Sequence, residues 1–240
     1  MLNRTLQPPM VDIEHIDFVE PEKYPIAEGI DLYHMKDVPN ETARFDLYFD
    51  AGKCNAKNGI PAFVNGLLLS GTDQKSSIEI NAEINSLGGF LESGISAENA
   101  VVSMYCLREN VVAIFNILID AIKNVAFIEK EVDEYLSDGK QKLKINREKV
   151  SFLAQRAFQG KLFASNEMYY SSLEDSDFDN VEIDQLRTFH AANYLNGLDK
   201  VVVVGHLEES EINTIIEGSK SLLKTRKSTF DGTLQNEVGA

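Results

Sequence analysis

The sequence predicts an α+β domain: a mostly antiparallel sheet with long helices packed on one face. Two observations predict it. Short alternating or β-branched runs come in pairs, and amphipathic helical runs follow them in pairs, the order of a layered sheet-and-helix domain. A chain of 240 residues with 43% hydrophobic content has enough apolar surface to bury a sizeable core under those helices. No short internal repeat breaks the pattern.

Residues 1–28 read as an extended N-terminal arm, with Pro8, Pro9 and Pro21 against regular structure in its first part. Gly29 to Lys36 is a first strand, ending in the turn-like Asp37-Val38-Pro39-Asn40. Arg44 to Asp50 alternates, with Phe45, Leu47 and Phe49 on one face and Arg44, Asp46 and Tyr48 on the other. These two segments are expected to pair antiparallel. Pro61 suits the first turn of a helix running to about Ser70. Asp73 to Ser77 opens a second, Ile78 to Leu87, stopped by Gly88-Gly89. Phe90 to Ile95 and Ala100 to Leu107 are a second strand pair. Val111, Phe115, Leu118 and Ile122 then recur at helical spacing.

From Glu129 to about Phe163 the pattern is helical again, broken at Gly139 and near Asn146. Ser165 to Asn180 reads as an acidic loop, Glu182 to Tyr194 as a helix, Lys200 to Val204 as a buried strand and Glu208 to Leu223 as a last helix. Residues 29–224 thus form one α+β unit, and residues 225–240 a flexible tail or the start of an interdomain linker.

Charge and cysteine content narrow the function. A net charge of −15 opposes nucleic-acid binding, which needs cations on phosphates, and opposes docking on anionic lipid. Cys54 and Cys106 are too few for a disulfide framework or a thiolate metal site. The first residues lack the apolar run of a signal peptide, and no window reaches the ~18 apolar residues of a membrane span. A cytoplasmic location is the expectation.

At Gly59 to Thr72 the chain reads GIPAFVNGLLLSGT, and further on INSLGGFLESGISAENAVVSMYCL. The first resembles the signature region of the pitrilysin/insulinase-type zinc metallopeptidases, GLAHFLEHMLFKGT in its commonest form. Gly59, Phe63, Leu67, Leu68, Gly71 and Thr72 keep its frame. The second is similar to that family's helix end, double-glycine turn and following strand pair. The likeness runs from Gly29 to Leu223 and covers one repeat. It implies the metallopeptidase-repeat fold, LuxS-like or processing-peptidase-like.

The chemistry of that family is missing. Its H-x-x-E-H motif sets two His one helical turn apart to hold zinc, with the Glu as general base. Those positions carry Ala62, Asn65 and Gly66. Ala and Gly have no donor atom, and Asn takes no proton from water at neutral pH. The family's third ligand, a Glu on a later helix, should fall near Asp138 to Lys144, where Asp138 is the only carboxylate. If the face of Ala62, Asn65 and Gly66 is open, Gly66→Ala should stabilise by up to ~1 kcal/mol. If another element packs there, the added methyl should destabilise.

Other chemistries find no footing. His15, His34, His190 and His206 form no pair at i, i+3 or i, i+4. Nucleophile-elbow and phosphate-loop motifs are absent. The acidic run Glu174, Asp175, Asp177 and Asp179 lacks the glycine and terminal Glu of a calcium loop.

One property implied by the resemblance does not need zinc. In the family an extended peptide adds a strand to the edge after the double glycine, here Gly89, Phe90, Leu91, Glu92 and Ser93. The resemblance therefore implies a non-catalytic homologue that binds extended peptides and completes the chamber of a zinc-bearing partner. That partner is a subunit of the same family or a second repeat, and no cofactor is expected in this chain. The alternatives are an active metallopeptidase with a relocated metal site and a stand-alone peptide-binding scaffold.

Overall fold

The structure, a computed structural model, describes residues 18–36, 41–163, 169 and 172–223. Its order is β1 (Glu22–Ala27), β2 (Ile30–Met35), β3 (Thr42–Phe49), α1 (Ile60–Leu67), α2 (Ser77–Ser86), β4 (Phe90–Ile95) and β5 (Ala100–Leu107). There follow α3 (Val111–Lys123), α4 (Glu129–Arg147), α5 (Val150–Leu162), α6 (Asp175–Asp179), α7 (Ile183–Asn193), β6 (Leu198–Val204) and α8 (Glu209–Lys220). The strands form one six-stranded sheet in the order β1-β2-β6-β3-β5-β4, antiparallel at every step except β2–β6.

The alternation in β3 decides which face is covered. Phe45, Leu47 and Phe49 are fully buried, in register with Val203 and Val201 of β6 and with Met104 and Val102 of β5. The expected stripe of α3 lies over them: Val111, Phe115, Leu118 and Ile122 are all fully buried, and Phe115 meets Phe45 edge-on at 5.4 Å. The other face carries Arg44 and Tyr48, with the Arg44 guanidinium over the Tyr105 ring at 4.9 Å and the Lys200 ammonium over Tyr48 at 5.0 Å. Asp46 is buried on that side and accepts from Arg44 Nε at 2.9 Å. The predicted α+β sheet with helices on one face is what forms.

Four expectations need correction. The extended arm expected over residues 1–28 ends in a paired strand, since β1 adds to the edge of β2 through Pro25, which an edge strand tolerates. β2 and β3 are not neighbours: β6 lies between them, parallel to β2 and antiparallel to β3. The valine run of β6 fits that central place, with Val201 and Val203 fully buried and Val202 and Val204 half-buried. Gly139 does not interrupt α4, which runs unbroken to Arg147. Glycine stands there because a Cβ would come within 2.7 Å of the Phe178 ring. That ring belongs to α6, a short helix inside the span read as loop, closed by a capping box between Glu174 and Asp177. The turn at 37–40 and the tail at 225–240 lie outside the described residues.

Candidate functional site

Helix α1 begins where Gly59 takes a left-handed conformation (φ 73°) and Pro61 occupies the first turn. Ile60, Phe63, Val64 and Leu67 are buried and fix its rotation against the sheet. Asn65 faces the core with them. Its Nδ2 donates to the Tyr194 hydroxyl at 3.1 Å, in a cluster where Tyr194 also meets Phe49 at 4.9 Å and stacks on His190 at 5.8 Å. Burial pushes the Tyr194 phenol well above its ordinary range, so it stays protonated.

Ala62 and Gly66, one turn apart, face α4 instead. Tyr135 of α4 fills that side. Its hydroxyl comes within 3.5 Å of the Ala62 carbonyl oxygen, and a Cβ on Gly66 would lie only 2.0 Å from it. The Tyr135 ring also packs edge-on against Phe63 at 6.5 Å. Burial raises its phenol pKa, so it too stays neutral. Tyr135 therefore stands beside this face of α1, where Ala62 is half-buried and Gly66 is still exposed, and a side chain added at Gly66 would have to displace it.

These residues do not fit zinc. Ala62 and Gly66 offer no donor, Asn65 is engaged with Tyr194, and Tyr135 is a protonated phenol. Asp138, the one carboxylate in the expected ligand window, is exposed, whereas Tyr135, Gly139, Lys142 and Leu143 turn towards α1. Tyr135 is the residue that sequence reasoning missed. The signal that could have found it is the buried stripe Val132, Leu136 and Leu143, which turns α4 inward beside a helix carrying Gly at its contact position.

Among the described residues, β4 pairs only with β5, from Phe90↔Tyr105 to Ile95↔Ala100, so its other edge has no strand partner. The turn before it is fixed by Gly88 (φ 69°) and by a hydrogen bond from Gly89 N to Ile84 O at 2.9 Å. A side chain on Gly89 would stand 2.9 Å from both Ile84 and Ile114, which explains the second glycine. Phe90, Glu92 and Ser93 are exposed, while Leu91 is half-buried against the core.

The far end of β4 is tied to the start of α1. Lys53 N and Cys54 N donate to Ser96 O and Ala97 O at 3.1 and 2.9 Å, anchoring the β4–β5 turn beside the short 3₁₀ turn Lys53–Asn55. A cavity of about 490 Å³ opens there between Ile95, Ala62, Tyr135 and Phe178. The strand edge, the Ala62 and Gly66 face of α1 and the cavity are thus neighbours.

The remaining candidates are structural. His34 and His190 are buried, with ring nitrogens 2.8 Å from Gly205 O and 2.7 Å from Ile122 O. His206 is exposed and His15 lies outside the described residues. Burial pushes the Cys106 thiol up to about 11, so it is an inert core residue. Asp175 and Glu174 bond Arg147, and Asp179 bonds Lys140, so the acidic run ties α6 to α4. No described helix is long and apolar enough to cross a membrane.

The family model for insulinase (peptidase family M16) matches residues 33–175, more than half of the chain. The alpha subunit of the mitochondrial-processing peptidase of Solanum tuberosum is 28% identical over 144 residues, 58% of this chain and 27% of that protein. The beta subunit from Dictyostelium discoideum is 30% identical over 130 residues, 50% of this chain and 28% of that protein. The chain therefore spans little more than a quarter of these relatives. Among solved structures, a peptidase M16 inactive domain from Pseudomonas fluorescens superposes with TM-score 0.76 at 19% identity, over 87% of this chain and 52% of its own. The periplasmic protease PqqL of Escherichia coli superposes with TM-score 0.74 at 15% identity, over 88% of this chain and 25% of its own.

Proposed function

The chain belongs to the insulinase family (peptidase family M16), and we propose that within it this chain is a non-catalytic member. In this reading it binds extended peptides along β4 and completes the substrate chamber of a zinc-bearing partner of the same family. One observation carries the reading. Helix α1 keeps its place beside the β4 edge that has no strand partner among the described residues, yet its positions Ala62 and Gly66 hold no donor, and the Tyr135 phenol stands where a side chain on Gly66 would go.

Two further facts support a partner. The relatives named above are an alpha and a beta subunit of mitochondrial-processing peptidases from two organisms, and all the chains compared are about two to four times the length matched here. Helix α5 buries no residue, and it turns Val150, Leu153, Phe158 and Leu162 to the surface, 81%, 47%, 65% and 58% exposed. At about 100° per residue these side chains spread over roughly half of the helix surface, so α5 exposes several large apolar groups without cover among the described residues. What covers them in this reading is the second, zinc-bearing half.

Peptide capture is tested on β4. In an antiparallel edge strand, successive N–H groups point alternately inward and outward, so either Leu91 or Glu92 carries an outward donor. Leu91→Pro and Glu92→Pro each delete one. One of the two should keep the fold and lose about tenfold or more in affinity for an extended peptide, measured by fluorescence anisotropy. Equal peptide binding by both folded variants would refute strand addition at this edge.

A further inference from the structure

We propose that the cavity beside α1 is a binding site for a carboxylate carried on an apolar body. The cavity of about 490 Å³ lies within the roughly 300–1,000 Å³ range of small-ligand sites. Its inner wall is apolar and aromatic, from Phe63, Leu143, Phe152, Leu173 and Phe178. Its rim is polar, and among the described residues every charged one on it is a cation: Lys53, Lys142 and Arg156. The other polar groups there are the amides of Asn146, Gln155 and Gln159 and the hydroxyl of Ser172. Among the described residues no carboxylate lines the cavity, in a chain whose net charge is −15.

Arg156 is engaged by Glu174, which holds α5 to α6 and leaves this arginine partly neutralised. Lys53 and Lys142 have no ion-pair partner among the described residues, and they reach the rim from different elements, the 3₁₀ turn and α4. A ligand must therefore satisfy two demands at once. An apolar body fills the aromatic wall, and an anion meets the two lysines at the mouth. Bulk anions such as phosphate meet only the second demand, and neutral hydrocarbons only the first.

The same chemistry has two sources. One is the carboxylate end, or an acidic side chain beside an aromatic one, of a peptide held along β4, whose last residue, Ile95, lines the cavity. That source rests on the peptide-binding reading above. The other is a free aryl or alkyl acid, which does not.

The test uses the full chain and two matched probes, 3-phenylpropionate and its uncharged amide, titrated by heteronuclear NMR. The acid should bind about tenfold more tightly than the amide, with shifts centred on Ile95, Phe152 and Leu173. That advantage should vanish in the double variant Lys53→Glu/Lys142→Glu, both of whose positions are exposed. Equal binding of acid and amide, shifts centred elsewhere, or an advantage that survives in the double variant would overturn the proposal. An extended peptide ending in Phe, as free acid and as amide, separates the sources. Preference for the peptide acid supports the peptide source; binding of phenylpropionate without any peptide binding supports the free acid and sinks strand addition alone.

Discussion

Gly66→His, a step back towards the family motif, should destabilise the fold by about 2–3 kcal/mol, and Gly66→Ala by about 1 kcal/mol. A Cβ at Gly66 meets Tyr135 at its hydroxyl oxygen, Cζ and Cε2, at 2.0, 2.5 and 2.7 Å. Alanine would gain ~1 kcal/mol of helix propensity. Gly66 itself is exposed, so the cost falls on Tyr135: to accept the methyl its ring must swing off Phe63 and out of its half-buried seat, at ~1–3 kcal/mol. The packing cost exceeds the propensity gain, so the net effect is a loss of stability. Removing the obstacle should reverse it: in a Tyr135→Ala background, Gly66→Ala should stabilise. Urea denaturation of the four proteins of this cycle measures both signs. A rise in stability for Gly66→Ala alone would show that Tyr135 does not guard this face.

Phe158→Asp should weaken association with the zinc-bearing partner about 100-fold while leaving the isolated chain as stable as before. The ring is 65% exposed and α5 buries no residue, so the substitution removes little internal packing. Surface changes of this kind usually stay within ±0.5 kcal/mol. At an interface the same ring is an anchor, and aromatic hot spots are worth ~2–4 kcal/mol, roughly 30- to 1,000-fold in affinity. Burying a carboxylate in place of the ring adds a desolvation cost. Purified complex and variant compared by sedimentation give the answer. Unchanged association would place the partner on another face, and an unfolded variant would mean that α5 packs more tightly than its exposure indicates.

Elements whose boundaries are set by local chemistry were legible from the residues. Pro61 starts α1, the polar run Asp73 to Ser77 opens α2, Gly88 ends it, and the stripe through Phe115 and Leu118 turns α3 to the core. The order of strands was not. A run of valines reads the same wherever it sits, and only pairing across the whole chain puts β6 between β2 and β3. Gly139 was misread for the same reason: its meaning depends on Phe178, a distant ring that needs the space. The loss of metal donors at Ala62 and Gly66 was legible because the flanking frame is intact. Tyr135 was not, because a tyrosine on an amphipathic helix carries no motif, and its role appears only when α4 is laid against α1.

The central claim, that this chain has no zinc chemistry of its own, is tested most directly by metal content and peptide cleavage measured on one sample. The full chain is loaded with zinc, dialysed and assayed alone and together with a family member carrying H-x-x-E-H. The account predicts zinc far below one per chain and no cleavage by the chain alone, with chelator-sensitive cleavage appearing only when the partner is present. Close to one zinc per chain after dialysis, together with chelator-sensitive cleavage by the chain alone, would contradict it.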